Sequence, residues 1–169
     1  MRPLNDIDPK RFIADFFTSF TEDLLRDDED PATIIDRYHT PDIVEIADGH
    51  RMDRDKLIAH TRPVRKNRPS SRMEVHEALA NGDQIAARYT LHVQQRNKEF
   101  AIEVHFFGHF ATDGRMRRAH ILTRTLPADG VADPAPSAPD RQEASASASA
   151  SATEPLPLLV EVDGPFGGR

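Results

Sequence analysis

The amino-acid sequence predicts an α+β domain, a curved antiparallel sheet with helices packed on one face. Three observations carry this. The periodic segments run helix, helix, strand, helix, and then four consecutive alternating stretches. The last two of these form one long hairpin, residues 99–126, folded at Asp113-Gly114. Asp-Gly between apolar-rich runs is a strong hairpin signal, because both central positions of a type I′ turn need φ > 0. At Pro127 the composition changes to Ala, Pro, Ser and Asp, which ends the folded unit.

The elements follow in order. Asp8-Pro9 reads as an N-cap with proline at the first helical position. Phe12, Ile13, Phe16, Phe17, Phe20, Leu24 and Leu25 then recur at helical spacing to about Arg26, a wide apolar stripe that faces a core. Asp30-Pro31 repeats the signal for a short helix through Tyr38, and Pro41 ends it. Residues 42–47 read as a short strand closed by a turn at Asp48-Gly49. Asp53 caps a third helix with Leu57, Ile58 and Val64 facing inward, and Pro63 kinks or ends it. Arg62, Arg65, Lys66, Arg68 and Arg72 cluster at its end, where cations suit the negative end of a helix dipole. Residues 72–80 alternate, with Met73, Val75 and Leu79 on one side. Asn81-Gly82 turns the chain, and Ile85, Ala87, Tyr89, Leu91 and Val93 share one face of the next strand.

In the hairpin, pairing Thr112 with Arg115 sorts the side chains by face. Val104, Phe106, Gly108, Phe110, Ala119 and Ile121 form a core or pocket wall. His105, Phe107, His109, Arg118, His120 and Leu122 form the other face, which reads as the outer sheet surface. His105 and His109 stand about 13 Å apart at a strand's rise, too far for one metal ion to bridge. No metal site is expected. A homodimer through this face, with Phe107 as anchor between His105 and His109, is the expected use. Glu45, Glu74, Glu77 and Glu103 lie on strands and are expected to be mostly solvated.

Bulk properties exclude several classes. The net charge is −6, with −4 of it in the stretch from Val131 onward, so no nucleic-acid partner is indicated. With no cysteine, disulfides, thiolate catalysis and zinc–thiolate sites are out. No apolar run approaches the roughly 18 residues of a membrane helix. Asp6, Asp8 and Lys10 interrupt any signal-peptide core, so the expected compartment is the cytoplasm. No glycine-rich phosphate loop is present, and no cofactor is implied.

Several phrases together resemble the SnoaL-like proteins of the nuclear transport factor 2-like superfamily. They are FFTSFTEDLL, IIDRYHTPDIVEI, MDRDKLIAH, DQIAARYTL and the strand pair around FGHFATDGRM, spanning about residues 10–126. The resemblance implies a cone-shaped α+β barrel, a curved antiparallel sheet wrapped on three N-terminal helices around an apolar pocket, and frequent dimers. By the same resemblance, the aspartate base of ketosteroid isomerase corresponds to Ile46, its second acidic residue falls near Phe106, and its helix-one tyrosine has no counterpart. Where SnoaL-like chains often carry Glu-His-Trp, this chain has Arg118-Ala119-His120.

The candidate polar residues lie near the implied pocket mouth: Tyr38, His39, Asp48 and His50 as catalytic groups. Phe16, Phe20, Ile46, Tyr89, Phe106, Phe110 and His120 are the candidate ligand-binding set. Asp42 and Asp53, which follow two of these histidines, are equally suited to capping or turning the chain.

The organisation expected is a domain over 1–127, an Ala/Ser/Pro-rich flexible linker over 128–154 containing ASASASASA, and an apolar peptide over 155–169, PLPLLVEVDGPFGGR. Three functions stay open. The first is a pocket domain for a hydrophobic ligand, polycyclic ligands included by the resemblance, with cofactor-independent isomerase, cyclase or hydro-lyase chemistry if it is catalytic. The second is a non-catalytic dimeric interaction module. The third is a leader-like carrier for a processed or modified C-terminal peptide, which could also meet a modifying or docking partner or plug the domain's own pocket.

Overall fold

The computed structural model describes Leu4, residues 7–95 and residues 97–127. The expected linker over 128–154 and peptide over 155–169 lie outside the described residues.

Helix α1 (Pro9–Leu25) starts where Asp8 accepts a hydrogen bond from the Lys10 amide at 3.0 Å. Helix α2 (Pro31–Tyr38) starts the same way, with Asp30 accepting from the Ala32 amide at 2.8 Å. Each cap satisfies an amide that the first helical turn leaves without an acceptor, and the proline lacks one. Strand β1 (His39–Ala47) turns through Asp48-Gly49 into β2 (His50–Asp53), and both turn residues have positive φ.

Helix α3 (Arg54–Asn67) is capped by Asp53 and continues through Pro63. Of the two effects expected of this proline, a kink or an end, the end does not occur there. Leu57, Thr61 and Val64 are buried on one face, and that burial outweighs the lost backbone bond. The helix ends instead at Arg68, left-handed at φ 41°, whose amide donates to the Val64 carbonyl.

Four strands follow: β3 (Ser70–Asn81), β4 (Gln84–Gln95), β5 (Lys98–Phe110) and β6 (Met116–Leu126). The sheet order is β2-β1-β6-β5-β4-β3. It is curved and open rather than closed, and it is mixed: β6 returns beside β1 running parallel to it, while every other pair is antiparallel. The α+β architecture therefore stands, with one parallel pairing in place of the all-antiparallel sheet. Among the described residues no helix is long and apolar enough to cross a membrane.

One register shift revises a face assignment, and another reshapes the hairpin turn. His76 is an extra residue in β3 between the pairs Val75–Tyr89 and Glu77–Arg88. This bulge reverses the alternation beyond it, so Ala78 packs toward the core and Leu79, expected inside, is 76% exposed. In the hairpin, the pairs through His109–Arg118 keep the expected register, and then Phe110 pairs with Met116. The turn spans Ala111 to Arg115 and places only Gly114 at positive φ, so it is not a two-residue type I′ turn. The Asp113 carboxylate holds it by accepting from the Arg115 amide at 3.1 Å and Nε at 2.8 Å. The expected inner face is otherwise intact, and Val104, Phe106, Phe110, Ala119 and Ile121 are all buried.

Candidate functional site

The inner sheet face and α1 enclose an aromatic interior. Phe16 meets Phe17 and Phe110 edge-on at centroid distances of 5.1 and 5.4 Å, and Phe17 meets Phe106 at 5.5 Å. Such edge-to-face contacts add to plain area burial. Gly108 makes this packing fit, since a Cβ there would lie 2.2 Å from the Phe106 ring. Phe16, Phe20, Tyr89, Phe106 and Phe110 of the candidate ligand-binding set all belong to this interior.

Among the described residues, one carboxyl is buried against it. Along β1, Ile43, Glu45 and Ala47 face inward and are buried. Glu45, expected to be solvated, is only 3% exposed, because strand parity aims it at the core beneath the curled sheet. Its Oε1 has no hydrogen-bond partner among the described residues, and neither does the Tyr89 hydroxyl or the Thr40 hydroxyl. Burial raises the Glu45 carboxyl from 4.5 to about 7. Burial, with the neighbouring Glu45 second, holds the Tyr89 phenol well above its ordinary value. The interior thus contains a carboxyl poised near neutrality and a phenol that stays protonated.

Ile46 is only partly buried and pairs with exposed His120 across β1 and β6. The two share the opposite sheet face from Glu45. The position that the resemblance assigns to the aspartate base, Ile46, therefore faces away from the interior, and the inward carboxyl of β1 belongs to Glu45, one residue earlier.

The four candidate catalytic residues do not form one cluster. Tyr38 donates to Asp23 at 2.7 Å, and burial followed by this aspartate raises it to about 12. His39 is buried against Phe16 and Phe20, with Nδ1 3.1 Å from the Ile35 carbonyl. Burial lowers it to about 4, so it is neutral at physiological pH. Asp48 accepts from the Thr123 amide at 2.8 Å and from the Thr123 hydroxyl, which ties the β1–β2 turn to β6. His50 is exposed.

A cavity of about 250 Å³ opens beside the aromatic interior. The C-terminal half of α1 supplies Phe17, Phe20 and Leu25, α3 supplies Val64, and the sheet supplies Met73, Leu91 and Val93. Thr18, Thr21, Glu22, Ser70 and Ser71 add polar groups. Leu91 and Val93 continue the β4 face that carries Tyr89. Phe17 lines the cavity and also packs on the Tyr89 ring at 5.9 Å, so it links the cavity wall to the interior that holds Tyr89. The helical pattern marks Phe17 as core, but only the assembled fold shows this second contact.

The outer face is separate. His105 lies 3.7 Å from Glu103, and His109 lies 3.9 Å from Asp83. Phe107 and Leu122 are 62% and 65% exposed there.

Comparison with solved structures supports the fold. An LEH-like epoxide hydrolase from M. tuberculosis superposes with a TM-score of 0.53 at 14% identity, covering 69% of this chain and 82% of that one. IdmH, a candidate polyketide cyclase from Streptomyces antibioticus, gives 0.51 at 15% identity over 69% and 92% of the two chains. AclR, a candidate hydroxylase from Streptomyces galilaeus, gives 0.50 at 16% identity over 69% and 88%. No curated protein sequence matches the chain. The SnoaL-like domain family matches residues 13–119, more than half of the chain and nearly the whole span from α1 into β6, and the chain belongs to that family.

Proposed function

We propose that this chain is a small-molecule pocket domain that moves a proton on a hydrophobic substrate without a cofactor, in chemistry of the isomerase, cyclase or hydro-lyase type. The observation that carries the reading is the buried Glu45 carboxyl, with Oε1 unpartnered among the described residues and the Tyr89 hydroxyl nearby. A carboxyl near neutrality serves as general base or acid at physiological pH, and a protonated phenol can hydrogen-bond the oxygen on which charge develops. At about 250 Å³ the cavity falls below the roughly 300–1,000 Å³ of drug-sized ligand sites. That size favours a substrate of one or two rings over a larger polycycle. Displacing the Phe17 ring would open the cavity toward Tyr89, the neighbour of the carboxyl.

The test is deuterium exchange next to the carbonyl in a panel of small hydrophobic ketones. The protein should catalyse exchange, with a rate rising through pH 7. Glu45→Gln should abolish it, and Tyr89→Phe should slow it by about 10²-fold or more. Ligand-induced stabilisation with no exchange for any ketone would sink the catalytic reading and leave a binding domain.

A second reading concerns the outer sheet face. The exposed Phe107 and Leu122, with His105 and His109 beside Phe107 on β5, favour a homodimer through this surface. Sedimentation should show a dimer for the wild type and a monomer for Phe107→Asp.

A further inference from the structure

We propose that residues 155–166 of this same chain seat in the cavity between α1, α3 and the β3–β4 edge, as an intramolecular plug. The inference rests on the cavity and goes beyond the proton-transfer reading.

Four observations converge on this occupant. The first is where the chain leaves the sheet. Leu126, the last residue of β6, pairs with Ala101, which pairs with His92, which pairs with Arg72. The neighbouring residues on β3 and β4, Ser71, Met73, Leu91 and Val93, line the cavity. The chain therefore departs at the cavity's own end of the sheet. Only three strand spacings, about 14 Å, separate β6 from β3.

The second is length. Residues 128–154 follow before the apolar stretch begins. An Ala/Ser/Pro-rich segment of that length spans roughly 30 Å root-mean-square as a coil, which exceeds the distance required. A tether in this range raises the local concentration of its end to the order of 1 mM. Weak intrinsic affinity is then enough for occupancy.

The third is chemistry. Leu156, Leu158, Leu159, Val160, Val162 and Phe166 concentrate apolar side chains in a stretch that otherwise follows a polar run. The cavity offers Phe17, Phe20, Leu25, Met73, Leu91 and Val93. Its volume equals about eight waters at 30 Å³ each, room for a few aliphatic side chains and not for a folded partner.

The fourth is charge. Lys66, Arg68 and Arg72 flank the cavity-lining Pro69, Ser70 and Ser71 in sequence, while Glu154, Glu161 and Asp163 accompany the apolar residues. Arg65, which donates to the Leu24 carbonyl beside the cavity-lining Leu25, makes a fourth cation, against three acidic groups near the rim: Glu22 lines it, Asp27 pairs with Arg68 at 3.0 Å, and Glu74 stands 3.9 Å from Arg72.

The chain contains neither tryptophan nor cysteine, so a two-site probe reports on this contact alone. In the full chain, Leu159→Trp supplies the only indole, and Thr18→Cys on the cavity rim carries a contact quencher. Seating predicts blue-shifted emission that the quencher suppresses, unchanged on tenfold dilution. Adding Leu156→Asp and Leu158→Asp should restore bright, water-like emission, with the far-ultraviolet spectrum unaltered. Water-like emission without quenching in the parent would overturn the proposal. Quenching that fades on dilution would also overturn it, by placing the segment on a second copy. Quenching that survives the two aspartates would show proximity without seating and overturn it as well. If the plug fails while ketones still stabilise the protein, the pocket reading stands by itself. If the plug holds and no ketone exchanges, the reverse is true.

Discussion

Glu45→Gln keeps the shape of the interior side chain and removes its charge. Burial raises this carboxyl from 4.5 to about 7. The folded protein therefore holds the proton more tightly than the unfolded chain does. Glu45's contribution to stability is fully present below about pH 4.5 and is lost as pH rises through 7. A shift of about 2.5 pH units, at 1.36 kcal/mol per unit, amounts to about 3 kcal/mol by pH 8. His39 runs the other way. Burial lowers it from 6.5 to about 4, so its contribution is present above pH 6.5 and is lost as pH falls toward 4. Between roughly pH 4.5 and 6.5 the two slopes offset each other, and the wild-type curve is nearly flat there. The difference between wild type and Glu45→Gln removes the His39 term. That difference should be small at pH 4.5 and should reach about 3 kcal/mol in favour of the variant at pH 8. For a domain of this size the gain corresponds to about 12 °C in Tm. Urea denaturation of both proteins at half-unit pH steps and constant ionic strength measures it. A difference that is the same at pH 5 and pH 8 would refute the reasoning, because the carboxyl would then carry the same charge in the folded and unfolded states.

Three further outcomes are expected. Gly108→Ala should lower stability by about 1–3 kcal/mol in urea titration, because its Cβ meets a Phe106 ring already confined by Phe17 and Phe110. Asp48→Ala should cost about 1–3 kcal/mol and speed amide exchange at Thr123, which loses its side-chain acceptor, whereas Asp48→Asn should retain more of the stability. Arg65→Met should loosen the end of α1, since the Arg65 guanidinium donates to the Leu24 and Glu29 carbonyls at 2.9 and 2.8 Å; amide exchange in the α1–α2 connection should rise while the sheet is unaffected.

The sequence by itself determined the local elements of this protein. Asp8-Pro9, Asp30-Pro31 and Asp53 mark three helix starts because a cap acts within three residues of itself. The alternation of β5 and β6 separates Phe106 from Phe107 because a strand's two faces are written at period two. The family phrases, spread over α1 to β6, were legible for the same reason. The tertiary structure decided everything that depends on long-range pairing. β6 lies parallel to β1, although about seventy residues separate them. One extra residue, His76, sends Leu79 outward, and no local pattern announces a bulge. Pro63 is carried through a helix by the burial of its neighbours. Glu45 reads as one more solvent-facing strand acid until the sheet curls over it, and Phe17 reads as core until α1 settles against both Tyr89 and the cavity. Burial is a property of the assembled surface, and burial is what turns an ordinary glutamate into a candidate acid–base group.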